Sequence, residues 1–169
     1  SDLASLYERA ARIKDRPGSV TLLPVVTMPD DDITHPVPDL TGYITEGQIV
    51  LSAEMHERGV YPPVDPLSSL SRLMRKGVGL GRTRPEHLEL ASQLIAALAR
   101  AKQARELAEL VGASALGAAD RRYLELERAY EADLASQGVT ETRSLGDTFE
   151  RAWRTVSVLP RSELTMLDR

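Results

Sequence analysis

The stretch SRLMRKGVGLGRTR, residues 71–84, has the make-up of a surface that meets negative charge. Arg72, Arg75, Lys76, Arg82 and Arg84 surround Gly77, Gly79 and Gly81, and no acidic residue occurs between Asp65 and Glu86. Arginine's planar fork matches phosphate oxygens, and glycine lets backbone N–H groups approach them closely. Phosphate contact is the chemistry these residue types suit. A solvated loop between two subdomains is the plainer alternative.

Other phosphate machinery is missing. The glycine spacing is not that of a dinucleotide fingerprint, and no strand directly precedes it. No GxxxxGK[ST] motif occurs anywhere in the chain. The chain as given therefore has no usual P-loop cradle. It can still lend an arginine to a nucleotide held by a neighbour, a contribution typically worth about 10³–10⁵ in rate. Asp30, Asp31 and Asp32, with Asp39 nearby, follow a predicted strand, where a magnesium role competes with turn formation. The Asp and Pro content favours the turn. His35, His56 and His87 share no close metal-ligand spacing, and no serine forms a triad with them.

The elements that must position these residues change character near residue 85. Every proline except Pro160 lies between residues 17 and 85, so the first half reads as strands and loops. A helix is predicted over 2–13 and a buried strand over the β-branched run 19–28. A short strand over 48–52 follows a long loop. Two strands cannot stand alone in water, so this half is expected to be the end of a larger α/β domain in a longer protein. From residue 83 the signals are helical. Thr83 and Glu86 read as a capping box, and the helix they open carries a stripe of Leu88, Ala91, Leu94, Ile95, Leu98, Ala101 and Ala104 up to Gly112. A second helix is expected over 117–136. A third is capped by Ser144, buries Leu145, Phe149, Trp153 and Val156, and stops at Pro160. The three would pack as an antiparallel bundle.

The bulk numbers set outer bounds. The chain has 169 residues, 42% of them apolar but only 4% aromatic, so a core of Leu, Val, Ile and Ala is within reach. A net charge of −4 argues against a general nucleic-acid binder. The absence of cysteine excludes disulfides and Cys-ligated metals and fits a reducing cytoplasm. No signal peptide and no membrane-length apolar run is present, so any membrane link must come through a partner.

Read together, GSVTLLPVVTMPDDDITHPVPDLTGYITEGQIVLS over residues 18–52, with LASLYERAARI before it and GVYPPVD, LSRLM, KGVG, GRTR and LPRSEL after it, closely resembles the B-subunit family of V-type and archaeal-type rotary ATPases. The resemblance covers essentially all of the chain and is weakest over 113–143. It implies the C-terminal third of a regulatory, non-catalytic subunit. Residues 1–82 would end a central P-loop ATPase-like parallel-sheet domain, and residues 83–169 would form a C-terminal antiparallel helical bundle. It implies a hexameric head in which this subunit alternates with catalytic A subunits around a central shaft. ATP or ADP with magnesium would sit at the interface with the A subunit, held mostly by that neighbour. Within the SLSR motif, Ser69-Leu70-Ser71-Arg72, it implies that Arg72 projects to the neighbour's ATP phosphates, with Ser71 beside it. Leu80 and Arg82 depart from the family pattern, so Arg82 and Arg84 are not carried over. The complex would be cytoplasmic and peripheral to a membrane, and this chain alone is expected to turn over little ATP. A helical interaction module with no nucleotide role is the main alternative. A self-contained nucleotide-binding enzyme would require a P-loop upstream.

Overall fold

The computed structural model describes residues 2–167. The chain forms two compact units, Ser1–Gln48 and Ile49–Arg169. This division falls ahead of residue 82, where the sequence reading places its boundary.

In the first unit, α1 covers Asp2–Tyr7, half the predicted length. The helix unwinds because the Ala11 carbonyl accepts from the Val20 N–H at 2.9 Å, and Asp15 takes a φ of 61°. The apolar run 19–28 is not a strand; it has no regular secondary structure. A strand's backbone groups must pair with another strand in a ladder, and among the described residues no ladder forms on this run; the Val20 N–H bond to Ala11 is an isolated one. Leu23 and Val25 are left 83% and 98% exposed.

The sequence also reads residues 29–47 as loop, yet α2 spans Pro36–Ile44. Pro36 opens it, where the missing N–H costs nothing and the ring pre-sets φ. Thr41 and Thr45 donate their hydroxyls back to the Val37 and Thr41 carbonyls at 2.7 and 2.8 Å. Gly42 is required by close approach: a Cβ there would lie 2.8 Å from the Gln48 amide nitrogen. That amide donates to the Pro38 carbonyl. β1 is only Gly47–Gln48.

The second unit begins with a hairpin and ends in helices. α3 covers Ala53–Glu57, with the Ser52 hydroxyl accepting from the Met55 N–H. β2 is Leu70–Ser71 and α4 is Met74–Gly77. α5 runs over His87–Val111, followed by α6, Ala118–Ala129, and α7, Leu145–Val156. α5 starts later than predicted, and Thr83 does not cap it. The residue before a proline is pushed out of helical conformation, so Arg84-Pro85 delays the first turn. Gly112, at φ 86°, ends the helix. The end of the predicted second helix is instead a π-helical turn, Tyr130–Ala135. Ser144 caps α7 as expected: its hydroxyl accepts from the Asp147 N–H, and Asp147 bonds back to the Ser144 N–H.

α5 is the spine, with two apolar clusters along it. Leu90 and Leu94 pack on Phe149, Ala152 and Val156 of α7. Ala97, Leu98 and Ala101 pack on Tyr123 and Leu126 of α6 and on Leu159. The small residues at 97 and 101 let α6 come close. The stripe is rotated slightly from the predicted one. Ile95 is exposed, while Gln93 is buried, donating to the Glu163 carbonyl and accepting from the Met166 N–H. Leu145 is likewise exposed, and Thr155 takes an inward place on α7.

Candidate phosphate-facing turn

The turn that carries Ser71 and Arg72 is built on Asp65. Its carboxylate accepts from the Leu67 N–H at 2.8 Å and from the Ser68 hydroxyl at 2.5 Å. The Ser69 N–H donates to the Asp65 carbonyl. An aspartate followed by proline and serines is ordinary turn chemistry, and this signal is legible in DPLSS. The Ser69 hydroxyl then accepts from the Val50 N–H at 2.9 Å, tying the turn to the neighbouring segment. Leu51 and Val64 form an antiparallel bridge, and the Ser52 and Asp65 N–H groups donate to the Pro63 and Val50 carbonyls, each at 2.9 Å. Ser71 and Arg72 leave this hairpin on its exposed side.

The other cations in the stretch have different fates. Arg82 donates to the Lys76 carbonyl, closing the last turn of α4. Gly79 and Gly81 take φ values of 97° and 80°, which only glycine adopts freely, and the Gly79 N–H donates to the Thr83 hydroxyl at 2.8 Å. Arg84 pairs with Glu150 at 3.1 Å and stacks over Phe149 with its guanidinium carbon 5.4 Å from the ring centre. These two arginines serve the chain's own structure. All five cations, Arg72, Arg75, Lys76, Arg82 and Arg84, lie on the surface.

The acidic cluster is a turn. Asp30 and Asp31 both take φ 55°, a region that Asp tolerates better than most residues. Asp32 accepts from the Thr34 N–H and hydroxyl at 2.8 and 2.6 Å, bonds that hold its carboxyl below the usual range. Among the described residues no group of three or more His, Asp or Glu is placed to hold a metal ion. His87 packs edge-on against Phe149, with centroids 4.8 Å apart, and its Nδ1 lies 3.1 Å from the Thr83 hydroxyl. The arginines of this stretch supply the N–H donors that an anion contact needs.

Sequence reasoning misses a group of charges behind the turn. Arg58, the residue just after α3, reaches Glu54 and Glu127, each at 3.2 Å, and pairs with Glu131. Arg105 of α5 pairs with Glu54 and lies 3.6 Å from Glu127. The hydrogen bond from Arg105 is the main reason that the Glu54 carboxyl sits below its ordinary range. Glu54 and Arg58 stand at the local i, i+4 spacing of a helical ion pair, but no local spacing announces the partners of Arg105 or Glu127, which are far from them in sequence.

Two family profiles cover the chain. Residues 1–71 match the ATP synthase alpha/beta family, nucleotide-binding domain. Residues 76–169 match the C-terminal domain of V and A type ATP synthase. The chain belongs to the V- and A-type ATP synthase family. It is 54% identical over 164 residues to the B subunit of the A-type ATP synthase of Aeropyrum pernix, an alignment that takes in 97% of this chain and 35% of that protein. A solved structure, a unique ATP synthase subunit NeqB from Nanoarcheaum equitans, superposes with a TM-score of 0.83 at 43% identity, covering 94% of this chain and 39% of that one. The chain thus spans a little over a third of the length of these relatives. The fold is the one that the sequence resemblance implied: ATP-synthase α/β residues followed by a helical domain. The Ser71–Arg72 turn falls where the first match ends and the second has yet to begin. No helix among the described residues is long and apolar enough to cross a membrane.

Proposed function

We propose that this chain is part of the regulatory, non-catalytic subunit of a rotary ion-translocating ATP synthase, and that Arg72 acts in trans on ATP held by the neighbouring catalytic subunit. In this reading Ser71 flanks the contact, and magnesium and the water-activating group belong to the neighbour. Residues 1–82 close the nucleotide-binding-type domain. Residues 83–169 form the bundle that meets the central shaft. The complex sits in the cytoplasm and reaches the membrane only through other subunits.

The observation that carries the reading is the seat of Arg72, which is exposed at the end of a turn fastened by Asp65 and Ser69. Arg82 and Arg84 contact the Lys76 carbonyl and Glu150 and Phe149, within the chain's own structure. A guanidinium delivered by a rigid support is suited to charge that develops on a phosphoryl group, since the support removes the need to reorganise during reaction. The chemistry asked of this chain is electrostatic only: to place one positive fork and keep it there.

The test uses the full-length subunit assembled with its catalytic and shaft partners. Arg72→Ala is expected to lower ATP hydrolysis about a thousandfold or more with the ring intact. An unchanged rate would leave this subunit as a scaffold and return the basic stretch to the role of linker.

A further inference from the structure

The charge cluster behind the turn forms a closed ring. Arg105 pairs with Glu54, Glu54 with Arg58, Arg58 with Glu127, and Glu127 lies 3.6 Å from Arg105. Glu131 adds a second carboxylate to Arg58. Three structural segments meet there: α3, the middle of α5, and the end of α6 with its π turn. Arg105 Nε is buried and, among the described residues, has no hydrogen-bond partner, so the side chain is held by its other contacts. A partly buried ring of this kind is more consequential than an isolated surface pair, because each charge is oriented by two others.

Its location says what it holds. The apolar clusters that close α5 on α6 and α7 contain no residue of the 50–69 hairpin. The hairpin is fastened by Met55 and Val60, both buried, by the Gln137 N–H donating to the Tyr61 carbonyl at 2.6 Å, and by the charge ring. The same hairpin carries Val50, whose N–H grips the Ser69 hydroxyl three residues before Arg72. A continuous chain of contacts therefore runs from α5 and α6 through α3 to the turn.

We propose that Arg58 and Arg105 are positioning residues, and that their ring with Glu54 and Glu127 is a clasp that sets the Ser71–Arg72 turn against the helical bundle. What the turn does when so placed rests on the function proposed above; the clasp itself does not. A structural salt bridge with no such role would stabilise hairpin and bundle alike.

The test is amide hydrogen exchange on the full chain, comparing wild type, R58A, R105A and R105K. In R58A and R105A the Ser52, Asp65 and Ser69 amides are expected to exchange at least tenfold faster. The α5 and α7 core amides around Leu94 and Ala152 should stay within about twofold, and R105K should recover most of the hairpin's protection. Unchanged exchange in the hairpin, or an equal rise in hairpin and core, would overturn the proposal. In the assembled complex the same variants are expected to lower kcat severalfold with KM for ATP unchanged. Because the exchange experiment needs no catalysis, failure of the Arg72 reading would show in R72A turnover alone. Failure of the clasp would show in hairpin exchange with R72A still impaired.

Discussion

Residues 19–28 and α5 are both rich in apolar side chains, and they end in opposite conditions. The run SVTLLPVVTM has the composition of a buried strand, yet it lies uncovered and irregular. α5 is regular from His87 to Val111 and buries one side from Leu90 to Ala104. The difference is in where each segment finds its hydrogen bonds. A helix satisfies its backbone within itself, so α5 needs only a neighbour for its stripe. A strand needs another strand for every N–H and C=O that it presents, and no described segment offers one to 19–28. Apolar content drives burial in both, but it cannot supply a pairing partner.

The sharpest way to break this comparison is to cut the same kind of atom from each region. Leu126, fully buried between α6 and α5, should lose about 2–5 kcal/mol of stability on Leu126→Ala, read as a lower denaturation midpoint. A smaller value would mean that the two clusters are loosely packed.

A middle-sized effect should appear at the edge of the bundle. Tyr130, at the start of the π turn, has its phenol pushed up to about 12, first by burial and then by the Asp65 carboxylate. The folded state therefore holds this proton more tightly than the unfolded chain, whose tyrosines titrate near about 10. Its contribution is fully present below about pH 10 and is lost as pH rises from there through 12, by about 2–3 kcal/mol in all. Tyr130→Phe should flatten that part of the alkaline stability profile. An unchanged profile would place the phenol in solvent.

The smallest effect belongs to the exposed run. Val25→Ser should change the stability of this chain by less than about 0.5 kcal/mol. A large loss would show that the run is covered in solution, and would bring it level with α5.

Much of the second unit is legible from local pattern. Gly112, Ser144 with Asp147, and the helical spacing of Tyr123 and Leu126 act over a few residues, so short windows read them correctly, whereas α7 ends at Val156, ahead of Pro160. The phase of α5 departs from the predicted one by a fraction of a turn because Gln93 is buried by partners in the C-terminal segment, at Glu163 and Met166. α2 escapes a sequence reading although Pro36 marks its first turn; the surrounding Asp and Pro residues mask the signal. In the candidate site, Arg72 and the Asp65 turn can be picked out from sequence, whereas the fates of Arg82 and Arg84 cannot. Their partners, the Lys76 carbonyl, Glu150 and Phe149, are set by how the chain folds back.

The sequence by itself determined the family, the helical second half, the Ser144 cap and the Gly112 stop, and a basic stretch free of acids, because these depend on residue identity and on contacts within a turn or two. Only the tertiary structure decided which partners Arg82 and Arg84 take, that the run 19–28 forms no strand, and that Arg58 and Arg105 close a ring with Glu54 and Glu127. Those outcomes depend on charges and backbone groups distant in sequence arriving within about 4 Å of one another, and no spacing along the chain encodes that arrival.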